Sequence, residues 1–187
     1  MDYLHKEETL TRQELDRLQG VRLKNTVFQC TKSPFYRNKL AYAGVKVGDI
    51  NSAEDVQKLP FTTKEDLRSQ YPYGLLTVPV DKLVRLHASS GTTGAPTVIV
   101  HTQNDLNIWA DLVARCMYMV GVREHDVFQN ISGYGLFTGG LGIHYGAERL
   151  GCLTIPAGAG NSKRQIKLLK DFKDTVAHII PFYALHL

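Results

Sequence analysis

Two short β-rich runs, Leu83-Val84-Arg85-Leu86-His87-Ala88 and Thr97-Val98-Ile99-Val100-His101, flank the six residues Ser89-Ser90-Gly91-Thr92-Thr93-Gly94. Apolar, β-branched residues on both sides predict strands, so loop and flanks read as a hairpin rather than as strand, loop and helix. Gly91 and Gly94 permit backbone angles closed to other residues, which lets successive amide N–H groups converge on one point. Ser89, Ser90, Thr92 and Thr93 add hydroxyl donors on short stems, and Pro96 stiffens the exit. A loop lined by donors in this way is a candidate anion cradle. The plain alternative for such a composition is a hydroxyl-rich turn that binds nothing.

The cradle lacks the Gly-Lys-Ser/Thr ending of a Walker A loop. Its glycines do not fit GxGxxG, and no helix opens on them.

Upstream of residue 83 the pattern is helical. Thr11 stands three residues before Glu14, the spacing of a capping box, and Leu15, Leu18, Leu23, Val27 and Phe28 recur at roughly helical intervals. Ser33-Pro34 interrupts, and a second helix from Phe35 to Tyr42 is expected to end at Gly44. A short helix capped by Ser52 and another capped by Thr62 or Thr63 complete the lead-in. Downstream, a helix capped by Asn104 should run to about Val120 and close on Gly121. Strands are expected over 127–131, 152–156 and 176–180, separated by helices over 141–150 and 162–173. Strands alternating with helices imply α/β. The expected organisation is a helical lead-in over 1–82, then part of a mixed, largely parallel sheet with crossover helices over 83–187. The last strand and the turn at Tyr183 read as the front part of a larger protein, with a C-terminal domain outside this chain.

Composition narrows the function classes. With 43% hydrophobic and 21% charged residues the chain is globular rather than disordered. A net charge of +4, with its densest basic stretch confined to Lys163–Lys173, is too mild for a nucleic-acid partner. Cys30, Cys116 and Cys152 form neither a zinc motif nor a disulfide framework, and no metal site is expected. The polar, acidic N-terminus is unlike a signal peptide, and no apolar run spans a membrane, so a cytoplasmic location is the expectation. The exposed sheet edge near 176–180 leaves room for a homodimer.

Residues Gly133 to Gly142 carry five glycines around Tyr134 and Phe137. Glycines let backbone approach a flat ligand, and two rings supply stacking surface. Thr138 could bond a carboxylate or cap the next helix; close helix-on-sheet packing is the competing explanation. His144 reads as a structural histidine beside this segment, and Glu148-Arg149 as a solvated or helix-anchoring pair.

His87-Ala88-Ser89-Ser90-Gly91-Thr92-Thr93-Gly94-Ala95-Pro96-Thr97 resembles the ATP loop of acyl-adenylate-forming enzymes, in the phenylacetate–coenzyme A ligase branch, where Thr rather than Lys tends to follow the Pro. Leu59 to Lys64, Tyr71 to Gly74, Gly133 to Gly151 and His178 to Leu187 resemble the same branch. The resemblance implies ATP, Mg²⁺ and coenzyme A as reactants and cofactors, with an aryl carboxylic acid as small-molecule partner. It implies ATP-phosphate binding by Ser89, Ser90, Gly91, Thr92, Thr93, Gly94 and Thr97. It implies an acyl pocket at Ser132, Tyr134, Gly135, Phe137, Thr138, Gly139, Gly140 and His144. Members often carry an aromatic where Ser132 stands, which opens or re-polarises the pocket. The catalytic residues, including a lysine, and the Mg²⁺-binding acid are expected beyond Leu187. Two other readings stand beside this one: a non-catalytic nucleotide-binding fragment, and an adenylate-former of the capsular-polysaccharide type without coenzyme A chemistry.

Overall fold

The structure, a computed structural model, describes residues 4–89 and 96–187 of the 187. Its two compact units divide between Val100 and His101, with a few N-terminal residues grouped with the second.

In the first unit, Thr11 opens α1 (Arg12–Cys30) with the expected reciprocal box: the Glu14 carboxylate accepts from the Thr11 N–H at 2.8 Å while the Thr11 hydroxyl accepts from the Glu14 N–H. Pro34 sits in the first turn of α2 (Pro34–Tyr42), where its missing N–H costs nothing, and Gly44 at φ +70° stops the chain just after it. A 3₁₀ turn, Ala53–Lys58, stands where the third helix was expected. Thr63 rather than Thr62 caps α3 (Lys64–Ser69). Val27, Leu40 and Ile50 form this unit's core, with Leu23, Val45, Val47 and Leu59 around it. Lys39 reaches from α2 to Asp66 on α3 at 2.5 Å, and that ammonium holds the Asp66 carboxyl below its usual range. The paired strands β1 (Leu83–Ala88) and β2 (Val98–Thr102) are the expected flanks of the loop.

The second unit begins with α4 (Gln103–Met119). Its cap is Thr102, not Asn104: the Thr102 hydroxyl accepts from the Asp105 N–H, and Asp105 bonds back to the Thr102 N–H at 2.7 Å. The box forms two residues earlier because Thr102 leaves β2 in extended conformation, the backbone a cap needs. Then follow β3 (Val127–Asn130), α5 (Thr138–Leu150), β4 (Leu153–Ile155), α6 (Ser162–Asp171), β5 (Val176–His178) and α7 (Pro181–His186). The three strands are parallel in the order β4-β3-β5, with Phe128 opposite Thr154 on one side and Val176 on the other.

That order makes the two crossovers run in opposite directions, first from β3 to β4 and then from β4 past β3 to β5. With right-handed connections, α5 and α6 then cover opposite faces of the sheet. Side chains along β3 agree, because alternate residues point to opposite faces. Phe128 is buried with Met117, Val122, Ala147 and Cys152 on the α4–α5 side. Gln129 turns the other way and bonds Gln165 of α6 at 2.6 Å. Asn130 returns to the α5 side, its Nδ2 donating to the Gly140 carbonyl at 2.8 Å.

Helix α5 starts at Thr138, three residues ahead of the expected Leu141. Gly139 and Gly140 are weak helix formers, and of the two only Gly140 is closely packed. A Cβ on Gly140 would lie 2.3 Å from the Gly133 carbonyl oxygen, so only glycine lets the preceding loop close on the helix. Gly151 at φ +98° ends the helix as expected.

Candidate functional site

The two groups of expected site residues fall in different units and are described in turn. In the first, Ser90 to Gly94 lie outside the described residues. Their two flanks are described and bond each other. The Ser89 N–H donates to the Thr97 carbonyl at 3.0 Å, and the Thr97 N–H donates to Ser89 Oγ at 2.9 Å. This double tie draws the two ends of the loop together. Thr97 Oγ1 is buried with no partner among the described residues, a state that a buried hydroxyl rarely keeps without a ligand or water.

In the second unit the site grows from the carboxyl ends of β3 and β5. Ligands in open α/β sheets bind outside these ends, where the crossovers diverge. Asn130 is fully buried there, and its amide organises the surroundings. With Nδ2 committed to Gly140, Oδ1 accepts from Ser132 Oγ at 2.8 Å and from His178 Nδ1 at 3.0 Å. An amide oxygen cannot donate, so His178 carries its hydrogen on Nδ1 and keeps its lone pair on Nε2. Burial pushes the His178 pKa below its ordinary value and favours this neutral ring.

Of the expected pocket residues, the structure brings Ser132, Tyr134, Gly140 and His144 together. Ser132 is tied to Asn130; it leaves no ring at that position but fills it with a hydrogen-bonded hydroxyl. The Tyr134 hydroxyl lies 3.2 Å from His144 Nδ1, and the rings meet edge-on with centroids 5.7 Å apart. Gly135, Phe137, Thr138 and Gly139 sit exposed at the junction of loop and helix. Thr138 is the first residue of α5 rather than its cap; Phe137 holds the cap position and supplies no side-chain acceptor. The first amides of α5 therefore face outward at the positive end of a 13-residue helix, beside open space at Gly135 and Gly139. Such an end favours a carboxylate or phosphate.

The Glu148-Arg149 pair separates. Arg149 crosses to Asp111 on α4 at 2.5 Å, while Glu148 turns back one turn to His144 Nε2 at 3.1 Å. Successive helical residues point about 100° apart, so neighbours in sequence reach different partners. Asn130, His178 and the Gln129–Gln165 bridge escaped the sequence reading. The signal for two of them was Gln129-Asn130 inside an otherwise apolar strand, since buried amides need partners. Among the described residues no three His, Cys, Asp or Glu side chains gather to hold a metal ion, so no Mg²⁺ ligand set is assigned to them. No described helix is long and apolar enough to cross a membrane.

No family model matches the chain. Curated relatives do. A phenylacetate–coenzyme A ligase of Pseudomonas putida is 51% identical over 154 residues, covering 82% of this chain and 35% of the relative. Those of Escherichia coli and Thermus thermophilus are each 46% identical, over 96% and 98% of this chain. Over the residues it shares with them, the chain is similar to phenylacetate–coenzyme A ligases. It spans 35–42% of the length of these relatives.

The fold agrees with that likeness. The chain is similar to the N-terminal part of adenylate-forming coenzyme A ligases. It matches 2-hydroxyisobutyryl-CoA ligase, solved with 2-HIB-AMP and CoA in the thioesterification state, with a TM-score of 0.91 and 30% identity over 100% of this chain and 41% of that one. An open conformation of the same ligase gives 0.87 and 29%. The α/β class expected from the strand–helix alternation is borne out by this likeness.

Proposed function

We propose that this chain takes part in the ATP-dependent activation of an aryl carboxylic acid of the phenylacetate type, through an acyl-AMP intermediate, to a coenzyme A thioester. The observation that carries the reading is the 46–51% identity to relatives that bear this activity in their name. The solved neighbour, bound to an acyl-AMP and CoA, supports the two-step course.

In this reading the lead-in over 1–82 is scaffold and 83–187 is the ligand-binding part. Ser89, Ser90, Gly91, Thr92, Thr93, Gly94 and Thr97 hold the outer phosphates of ATP. A carboxylate is a poor acylating agent because its leaving group would be oxide; attack on the α-phosphate makes the leaving group AMP. Charge gathers on phosphate oxygens during that attack, so placed amide and hydroxyl donors are what the loop contributes. Mg²⁺ would neutralise the same oxygens, held by residues of the sequence that the relatives carry and this chain does not span. Ser132, Tyr134, Gly135, Phe137, Thr138, Gly139, Gly140 and His144 receive the acid. Its carboxylate points to the uncapped first turn of α5, and its ring lies against Tyr134 and Phe137. The setting is cytoplasmic, with small molecules as partners.

Pyrophosphate release by the intact protein, measured with ATP and a panel of acids, tests this. Phenylacetate or a close aryl acid should stimulate release, and coenzyme A should then yield a thioester. Stimulation by short hydroxy acids alone would refute the aryl assignment, and release without thioester would refute the coenzyme A step. Replacing Ser90 and Thr93 together with Ala should depress release about a hundredfold or more, the scale of one lost transition-state donor; unchanged release would refute the cradle.

A further inference from the structure

Tyr134, His144 and Glu148 form a continuous chain of hydrogen bonds: Tyr134 Oη to His144 Nδ1 at 3.2 Å, and His144 Nε2 to Glu148 Oε1 at 3.1 Å. The two links end on opposite nitrogens of one ring, which fixes the direction of every hydrogen. An ionised carboxylate only accepts, so in a ring that carries a single hydrogen it stands on Nε2 and Nδ1 keeps the lone pair. Nδ1 can then only accept, and Tyr134 must be the donor. The phenol also keeps its proton firmly: burial raises its pKa first, Asn130 lowers it, and the Glu148 charge raises it again.

We propose that Glu148, through His144, sets the polarity of the acid pocket: Tyr134 turns an acceptor oxygen to the ligand, and the pocket selects aryl acids that bear a hydroxyl on the ring. The proposal rests on the reading above that residues 132–144 receive the acid, and it adds Glu148 as a positioning residue. The Tyr134 side is reachable, since the residue is 37% exposed in the chain. With its one hydrogen committed to His144, the phenol oxygen offers lone pairs alone. It attracts an O–H and repels a carboxylate, so the acid's own carboxylate is turned away from Tyr134. One hydrogen bond made to a ring hydroxyl, and missing for the unsubstituted ring, is worth about tenfold in affinity.

The test uses this 187-residue chain. Imidazole ¹⁵N shifts at pH 8 should show His144 with hydrogen on Nε2 alone, and Glu148→Ala should convert it to a mixture of tautomers. A purely structural role for Glu148 would not move that signal. Titration with phenylacetate and with 3- and 4-hydroxyphenylacetate should show one hydroxylated acid binding about tenfold more tightly. Tyr134→Phe should erase the preference between hydroxylated and unsubstituted acid, and Glu148→Ala should reduce it to within about twofold. Hydrogen on His144 Nδ1, a preference that survives Glu148→Ala, or binding of none of the three acids would each overturn the proposal. Failure of the intact protein to release pyrophosphate with any aryl acid is a separate result, and it sinks the proposed function instead.

Discussion

Replacing Gly146 with Ala puts the packing of α4 against α5 to a quantitative test. A Cβ built there lies 2.3 Å from Val113 Cγ1, 2.6 Å from Val113 Cβ and 3.3 Å from the Ala114 nitrogen. Carbon atoms in contact normally stand about 3.5–4.0 Å apart. Turning Val113 about χ1, already stiff for a β-branched residue, would move Cγ1 but leave Cβ in place. The overlap is therefore relieved only by separating the two helices. Overpacking of this kind costs about 2–3 kcal/mol, the upper part of the usual range, because backbone must shift. Ala returns about 1 kcal/mol over Gly in a helix interior. The expected net loss is about 1–2 kcal/mol. Gly139→Ala, in the same helix with nothing within 4 Å of its added Cβ, shows the propensity term alone and should gain up to about 1 kcal/mol. The gap between the two variants is then about 2–3 kcal/mol. Trp109, the single tryptophan, lies on α4 and stacks on His101 at 5.3 Å, so its fluorescence during urea unfolding reports this unit. Equal midpoints for the two variants would refute the close approach of α4 and α5.

Other expectations follow from single contacts. Gln165→Ala strands Gln129 Nε2 and the carbonyls of Gly158 and Gly160, which it serves at 2.6, 2.8 and 2.9 Å; urea unfolding should show a loss of at least about 2 kcal/mol. Thr102→Ala should cost about 1 kcal/mol by the same measurement, whereas Asn104→Ala should change stability by less than about 0.5 kcal/mol. The Asp126 carboxyl is held below its ordinary range, first by the Arg123 N–H at 2.6 Å and then by the Thr175 hydroxyl at 2.7 Å. A depressed folded pKa stabilises fully above the unfolded value of about 4 and loses that contribution as pH falls through the folded value. Asp126→Asn should thus be less stable than the native chain at pH 7, with the difference shrinking below pH 4; a difference independent of pH would refute the role of its charge.

Local signals in the sequence carried their structures well. Thr11 with Glu14, and Gly44 and Gly151 after their helices, act through contacts within a few residues, so spacing alone reveals them. Thr102 was hidden by the β-rich run it closes, since one residue serves as strand end and helix cap. Gly139-Gly140 read as turn because intrinsic propensity says so; the approach of the Gly133 carbonyl, which leaves no room for a side chain at Gly140, is not visible in that propensity. The same division holds in the candidate site. Tyr134 and His144 stood out as aromatic and titratable groups in a glycine-rich stretch. Asn130 and His178, 48 residues apart, meet only because β5 pairs with β3 in a particular register. No local pattern encodes that pairing. Ser90 to Gly94, the most recognisable stretch, lie outside the described residues, so their expected role rests on sequence.

Strand β3 delivers three successive side chains to three destinations: Phe128 to the core, Gln129 to the bridge with α6, and Asn130 to the mouth of the site. Because these alternate with the pleat, a single-residue insertion or deletion would misdirect all three at once. The strand has almost no evolutionary latitude, for any change in its length that altered the site would also unmake the fold. Latitude is concentrated instead between Gly133 and Gly139, where exposed side chains and open space let residues be exchanged without disturbing the sheet. Divergence in acid preference within this architecture should therefore be written in that loop, while Gln129 and Asn130 stay as they are.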